Sequence, residues 1–210
     1  MEYLFNGPAD APLTIVLAHG AGAPMDSPFM AEVAAGLGSR GWRVVRFEFP
    51  YMVRRREDGK KRPPDRQALL LDTWRSVIAE LGSEHLIIGG KSMGGRMASL
   101  IADESEVTGL VCLGYPFHPP GKPERLRIDQ LREMTTPALL VQGTRDPFGG
   151  AEEVAEYPLS PAIRIHWAED GNHDLAPRKR SGRTADQNLA EALAAMDGFL
   201  RERVQGGVSA

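Results

Sequence analysis

The sequence predicts an α/β fold in which a twisted, mainly parallel sheet is covered by helices on both faces. The apolar runs are short, nearly continuous and bounded by glycine or proline, which is typical of strands buried on both faces. Segments whose apolar residues recur at helical spacing lie between them, so strand and helix alternate along the chain. A length of 210 residues is enough for one substantial core. We therefore expect a single domain over residues 1–210.

Six apolar runs are predicted to be strands. Five are nearly continuous, whereas the sixth alternates and places Ile163, Ile165 and Trp167 on one face, as an edge strand does. In chain order the runs occupy residues 13–20, 42–49, 85–90, 107–114, 137–143 and 162–169.

Four helices are predicted from apolar stripes or from their position after a strand. The first stripe follows Ser27-Pro28, a plausible cap and first turn. The stripes run over residues 30–37, 70–81 and 189–200, and a further helix is predicted at 94–103. By contrast, residues 51–66, YMVRRREDGKKRPPDR, are too highly charged to bury and are predicted to be a loop near the mouth of the site.

The stretch GGKSMGG at residues 89–95 has two chemical interpretations. A phosphate-binding loop requires G-x-x-x-x-G-K-[ST], but His85 occupies the position of the first glycine and the intervening residues belong to a strand. The alternative is the G-x-S-x-G turn, which exposes Ser92 as a nucleophile between a strand and a helix. Because this short pattern is frequent by chance, a glycine-rich turn with an incidental serine remains the competing interpretation until partners are found.

The partners of a serine nucleophile are a base and an acid that orients the base. Asp146 follows the run at 137–143, and His173 follows the run at 162–169. All three residues therefore come at the carboxyl ends of strands, in the order serine, acid, histidine. This order predicts that Ser92, Asp146 and His173 are the catalytic residues.

Backbone N–H groups are predicted to bind the oxyanion that forms during acyl transfer. Met93 follows the serine at a helix N-terminus. Ala21, with Gly22 as the second candidate, lies in the segment HGAGA, where small residues let the backbone approach a substrate. His19 is interpreted as bracing this loop and not as the base.

The remaining polar candidates have structural interpretations. Asp170 and Asp174 flank His173 too closely to orient its ring and are predicted to serve turns or caps. His166 is predicted to be structural within a strand, His85 to lie at the surface, and Cys112 to belong to the core.

Three aromatic residues lie just past successive strands, namely Tyr51, Phe117 and Phe148. We expect at least two of them to line an apolar acyl pocket near the serine, and His118 is a further candidate for this pocket. The competing interpretation is ordinary packing of loops.

Positive charge is concentrated in two segments. Residues 52–67 and 175–183 each sum to +4, although the whole chain carries −3. We expect a basic rim, including Arg55, Lys61 and Arg180, that favours a small substrate bearing a carboxylate or phosphate. The alternative is that these residues are solvated and paired with neighbouring acids. Nucleic acid is not an expected partner, because the rest of the chain is acidic and aromatic interleaving is absent.

Five segments resemble the α/β-hydrolase superfamily: LAHGAGAPMDSPFM, GKSMGGRMAS, GYPFHPPGKPE, QGTRDPFG and EDGNHDLAPRK. They are similar to a small bacterial branch related to dienelactone hydrolases, and the resemblance covers about residues 13–200. It implies an eight-strand-type sheet and the triad named above. The chain departs from the pattern because the N-terminal segment is too short for much of the first two antiparallel strands, and no insertion is long enough for a separate lid domain. A serine also stands where dienelactone hydrolases use cysteine, so their substrate class is not carried over.

The sequence thus predicts a serine hydrolase that cleaves an ester or thioester of a small substrate. Cleavage of an amide would demand more from the acid step, because its leaving group is poorer. The alternative is a binding or scaffold protein that keeps the fold with little turnover, since similar sequences occur in chromatin-complex subunits. No metal or organic cofactor is expected, because no ligand cluster has metal spacing. With no convincing signal peptide and no apolar segment long enough for a membrane, a cytoplasmic protein without a membrane partner is expected. The oligomeric state is not indicated.

Overall fold

A seven-stranded sheet runs through the centre of the protein, as the computed structural model of residues 1–207 shows. The strands are β1 Tyr3–Asn6, β2 Thr14–Ala18, β3 Arg43–Phe47, β4 Leu86–Lys91, β5 Gly109–Leu113, β6 Ala138–Gly143 and β7 Ile163–Ala168. Their order is β1-β3-β2-β4-β5-β6-β7; β1 is antiparallel to β3, and every other neighbouring pair is parallel. The predicted α/β class with a mainly parallel sheet is confirmed.

Helices cover both faces of this sheet. They are α1 Pro28–Gly38, α2 Pro50–Asp58, α3 Gln67–Leu81, α4 Met93–Ser99, α5 Asp129–Arg132, α6 Ala151–Val154 and α7 Ala185–Gly207, and a 3₁₀ turn spans Lys179–Ser181. None of the helices within residues 1–207 is both long enough and apolar enough to span a bilayer.

Alternation along the strands divides the core into two layers. In β2, Ile15 and Leu17 pack in the layer formed with α1 and α7. Val16 and Ala18 face the opposite layer, which contains α3 and α4. Because β2 to β7 are parallel, their carboxyl ends meet at one edge of the sheet, and the residues that follow these strands are brought together there.

The N-terminal strand differs from the sequence prediction. No strand was predicted before residue 13, yet β1 pairs with β3 from Tyr3 opposite Phe47 to Asn6 opposite Val44. The sheet described here therefore has seven strands and one antiparallel edge instead of the eight-strand type that the resemblance implies. A strand of four residues is too short for alternation to reveal it.

The charged segment at residues 51–66 is not a loop throughout, and this prediction was wrong for its first half. Helix α2 begins at Pro50, whose fixed φ suits a first helical position, and its first turn buries Tyr51 and Met52. It ends before Gly59, which adopts φ 68°. The charged residues of its last turn lie at the surface, so this short helix shows no apolar stripe in the sequence.

Candidate active site

The turn that carries Ser92 connects β4 to α4 and is tightly constrained. Ser92 adopts φ 50° and ψ −114°, a conformation that costs a residue with a side chain about 1–3 kcal/mol. A Cβ atom on Gly90 would lie 2.1 Å from the Ala18 carbonyl oxygen, and one on Gly94 would lie 2.5 Å from the same atom. Only glycine lets the turn approach β2 so closely, which explains the spacing of the two glycines around the serine.

Three side chains from three strand ends form a continuous hydrogen-bonded chain. His173 Nε2 lies 2.8 Å from Ser92 Oγ, and His173 Nδ1 lies 2.8 Å from Asp146 Oδ2. A carboxylate accepts from Nδ1–H, which leaves Nε2 free to accept the serine hydroxyl proton. The structure thus brings the predicted serine, histidine and acid together in the relative order needed for nucleophile activation.

The carboxylate of Asp146 is buried and faces three hydrogen-bond donors, of which His173 Nδ1 is the first. Its Oδ2 accepts a second hydrogen bond from Gln142 Nε2 at 2.9 Å, and its Oδ1 accepts from the Phe148 N–H at 2.9 Å. Sequence reasoning missed Gln142. The available signal was a polar side chain at the penultimate position of an otherwise apolar buried strand.

Lys91 was also missed, although it directly precedes the serine. Its ammonium group donates to the His173 carbonyl oxygen at 2.7 Å and lies 3.1 Å from Asp174 Oδ1. Burial lowers the pKa of Lys91, and the nearby Asp174 carboxylate opposes that shift. Lys91 therefore ties the end of β4 to the loop that carries the histidine. A lysine at the last position of a buried strand was the signal for this role.

The loop after β2 lies beside the serine in the same cleft. Ala21 and Gly22 are exposed there, and neither of their N–H groups has a hydrogen-bond acceptor among residues 1–207. The Met93 N–H is the first of α4, where an amide has no acceptor within its own helix. These positions suit an oxyanion site, which stays a prediction.

An open cleft of about 550 Å³ lies above Ser92, within the range of small-molecule sites. Its lining is mainly apolar and comprises Gly20, Ala21, Gly22, Ala23, Ser27, Pro28, Phe29, Met30, Lys91, Ser92, Phe148, His173 and Asp174. The Phe148 ring also lies against the His173 ring, with centroids 4.2 Å apart. Phe29 and Met30 were not predicted here, because the start of α1 was assigned to the core alone.

Of the three aromatic residues predicted for the acyl pocket, only Phe148 lines the cleft, so that prediction was wrong. Tyr51 and Phe117 are fully buried, and the Phe117 ring packs between two tyrosine rings. His118 is buried as well, with its Nε2 3.3 Å from Glu153 Oε2. Position after a strand fixes the edge of the sheet at which a residue lies, but not whether its side chain turns outward or into the core.

The two basic segments are partly neutralised by acids. Among their eleven cations, five form ion pairs: Arg54, Arg56, Arg62, Arg178 and Arg183. None of Arg55, Lys61 and Arg180 lines the cleft. An effect of these three on anionic substrates therefore stays a prediction of long-range attraction and not of contact.

The other polar residues take structural positions. Asp170 pairs with Arg145 and Arg178, and these cations hold the pKa of its carboxyl well below the usual range. Burial raises the pKa of the Cys112 thiol, which keeps it protonated within β5. His85 is exposed and His166 is half-buried in β7. Within residues 1–207, no three side chains of the His, Cys, Asp or Glu type are grouped closely enough to hold a metal ion.

Comparison with known proteins gives one family and a consistent set of folds. The model of a family described as an alpha/beta hydrolase domain matches residues 11–201. An α/β serine hydrolase homologue from Coxiella burnetii is similar at 18% identity and a TM-score of 0.68, over 95% of this chain and 90% of that one. A serine hydrolase without a lid from Xanthomonas campestris is similar at 20% identity and a TM-score of 0.67, over 99% and 89%. A monoacylglycerol lipase from Paleococcus ferrophilus is similar at 15% identity and a TM-score of 0.69, over 96% and 98%. At these identities the structural similarity establishes the fold alone, and the reaction has to be inferred from the residues of the site.

Proposed function

Because the chain belongs to the α/β-hydrolase family, we propose that it is a serine hydrolase that cleaves an ester or thioester of a small substrate. The observation that carries the proposal is the hydrogen-bonded chain from Ser92 Oγ through His173 to Asp146, with 2.8 Å at each step. Ser92 and His173 line a mainly apolar cleft, which supports a substrate with an apolar acyl group.

In the first half of the proposed reaction, the acyl group passes to the enzyme. Ser92 Oγ attacks the carbonyl carbon while its proton moves to His173 Nε2. The carbonyl oxygen becomes an oxyanion and accepts hydrogen bonds from the N–H groups of Met93 and Ala21, with Gly22 as a further donor. The tetrahedral intermediate collapses when the leaving alcohol or thiol takes the proton from His173.

In the second half, water releases the acyl group. Water attacks the acyl carbon and gives a proton to His173, which returns it to Ser92 Oγ as the free acid leaves. Asp146 remains ionised throughout and holds the imidazole in the required tautomer. Apart from the substrate and the water molecule, these steps use only side chains and backbone groups of this chain, so they invoke no metal or organic cofactor.

The test is hydrolysis of a series of small acyl esters and of thioesters with the same acyl groups by the purified chain. We expect saturable hydrolysis of both, because a good leaving group places little demand on the acid step. A folded chain that hydrolyses no member of either series would contradict the proposal and favour the binding-protein alternative.

Replacement of Phe29 by alanine is expected to shift the preference towards longer acyl groups. The Phe29 ring lines the cleft, and its loss leaves additional apolar space for methylene groups, each worth about 0.8 kcal/mol when buried. We expect the ratio of kcat/KM for an octanoyl ester over an acetyl ester to rise about tenfold. The matched control is Phe5→Ala, which removes an exposed ring on β1. An equal ratio in the two variants would remove Phe29 from the acyl site.

A further inference from the structure

Two carbonyl groups in the loop after β2 accept hydrogen bonds from buried side chains. The Gly20 carbonyl oxygen accepts a hydrogen bond from His19 Nδ1 at 2.7 Å. The Ala21 carbonyl oxygen accepts from the Tyr51 hydroxyl at 3.0 Å, and the same hydroxyl lies 3.3 Å from the Gly20 oxygen. Both His19 and Tyr51 are fully buried and Gly20 is buried too, whereas Ala21 and Gly22 are exposed at the cleft.

The direction of these carbonyls decides the direction of the next amides. In a trans peptide the C=O and the following N–H point to opposite sides. The bond from His19 therefore turns the Ala21 N–H away from the core, and the bond from Tyr51 does the same for the Gly22 N–H. Ala21 and Gly22 line the same cleft as Ser92, so amides that point away from the core point towards this cleft.

Several contacts hold Tyr51 in place as a donor. The Tyr51 N–H donates to Asp65 Oδ2 at 2.8 Å, and its ring packs edge-on against the His19 ring at 5.7 Å. Burial raises the pKa of Tyr51, so its hydroxyl keeps the proton that it donates. The Phe49 N–H lies 3.1 Å from His19 Nε2 and donates to it, which fixes Nδ1 as the protonated nitrogen of the imidazole. Two groups of the segment after β3 therefore bind the residues after β2: the Phe49 N–H bonds the His19 ring, and the Tyr51 hydroxyl bonds the Ala21 carbonyl oxygen.

We infer that Tyr51 is a positioning residue for the oxyanion site: its hydroxyl holds the Ala21 carbonyl and thereby directs the Gly22 N–H, with the Ala21 N–H beside it, into the cleft. The inference rests on the proposed function, because an oxyanion forms only when Ser92 attacks a carbonyl group. Tyr51 touches no reacting atom and acts through the backbone.

The test removes the hydroxyl and keeps the ring, in the variant Tyr51→Phe. Outright loss of one oxyanion donor typically costs about 10²–10³-fold in kcat. A misdirected donor loses part of that, so we expect kcat to fall about tenfold or more while KM changes less than about twofold. The control is Tyr3→Phe, which removes a hydroxyl that bonds Glu80 at the far edge of the sheet. We expect this control to keep the kcat of the wild type.

A second readout separates positioning from general stability. A trifluoromethyl ketone forms a tetrahedral adduct with a serine and places an oxyanion in the site, whereas the corresponding alcohol binds without one. In Tyr51→Phe we expect the inhibition constant of the ketone to rise by the same factor as kcat falls, and that of the alcohol to stay constant. A purely structural role would weaken both ligands or neither.

A second pair of variants keeps the inference testable if Tyr51→Phe does not fold. Gly22→Pro removes the N–H in question from an exposed loop, whereas Gly22→Ala keeps the N–H and adds a Cβ that meets nothing within 4 Å. Because proline removes this donor outright, we expect the kcat of the proline variant to lie about 10²-fold or more below that of the alanine variant.

The outcomes distinguish this inference from the proposed function. A wild-type chain that neither hydrolyses esters nor binds the ketone overturns both. An active wild type whose Tyr51→Phe variant keeps its kcat and its ketone affinity overturns the inference alone, as does equal loss in the two Gly22 variants.

Discussion

Replacement of Ser92 by alanine is expected to lower kcat by roughly 10⁴–10⁶-fold. Without Oγ no acyl-enzyme can form, and the remaining rate would come from the oxyanion site acting on direct attack by water. The change removes one hydroxyl that lines the cleft and keeps the backbone turn, so thermal unfolding should change little. The measurement is kcat for the best small ester, together with a melting curve.

The control for this variant lies on the helix that follows the turn. Ser99→Ala also removes a serine hydroxyl, one that donates to the Arg96 carbonyl oxygen and accepts from Gln130 Nε2, away from the cleft. We expect its kcat to stay within about threefold of the wild type, with a stability loss of about 1 kcal/mol. If Ser92→Ala kept more than about a tenth of the activity, Ser92 would not be the nucleophile.

Replacement of Asp146 by asparagine is expected to lower kcat by about 10⁴-fold. Three donors face the carboxylate: His173 Nδ1 and Gln142 Nε2 at Oδ2, and the Phe148 N–H at Oδ1. An amide has only one acceptor oxygen, so its NH₂ group must face some of these donors. When it faces His173, the imidazole proton moves to Nε2 and the serine loses its base.

The neighbouring acid provides the comparison. Asp174→Asn removes an exposed carboxylate that pairs with Lys91 and does not touch the imidazole nitrogens. We expect a loss of less than about tenfold in kcat, because the base keeps its tautomer. Equal losses in the two variants would show that the assignment of the acid to Asp146 is wrong.

The parallel sheet and the proximity of Ser92, Asp146 and His173 could be predicted from the sequence for one physical reason. Parallel strands bring their carboxyl ends to one edge, so residues placed just after β4, β6 and β7 must approach one another. The glycines around Ser92 supplied a second constraint, since only a very tight turn requires them at both positions. These rules depend on chain direction and backbone geometry, both of which a sequence expresses directly.

The sequence was not sufficient for the direction of individual side chains. Tyr51 and Phe117 stand after strands as Phe148 does, but the first two turn into the core and only the third reaches the cleft. Gln142 illustrates the same limit, because its bond to Asp146 joins residues four apart through a turn whose shape the sequence does not specify. Helix α2 was missed because its charged residues show no apolar stripe, and the sequence does not show that acids outside the helix, such as Glu48 and Asp26 with Arg56, neutralise part of this charge.

The most direct test of the account is covalent labelling of the purified chain with a fluorophosphonate, read by intact-protein mass spectrometry and peptide mapping. An activated serine attacks phosphorus, displaces fluoride and retains the phosphonyl group, whereas an ordinary serine does not react. We expect one phosphonyl group per chain, carried by Ser92, no labelling of Ser92→Ala, and labelling slowed by about 10²-fold or more in His173→Ala. A folded wild-type chain that stays unlabelled, or that carries the label on another residue, would contradict the assignment of Ser92 as the activated nucleophile.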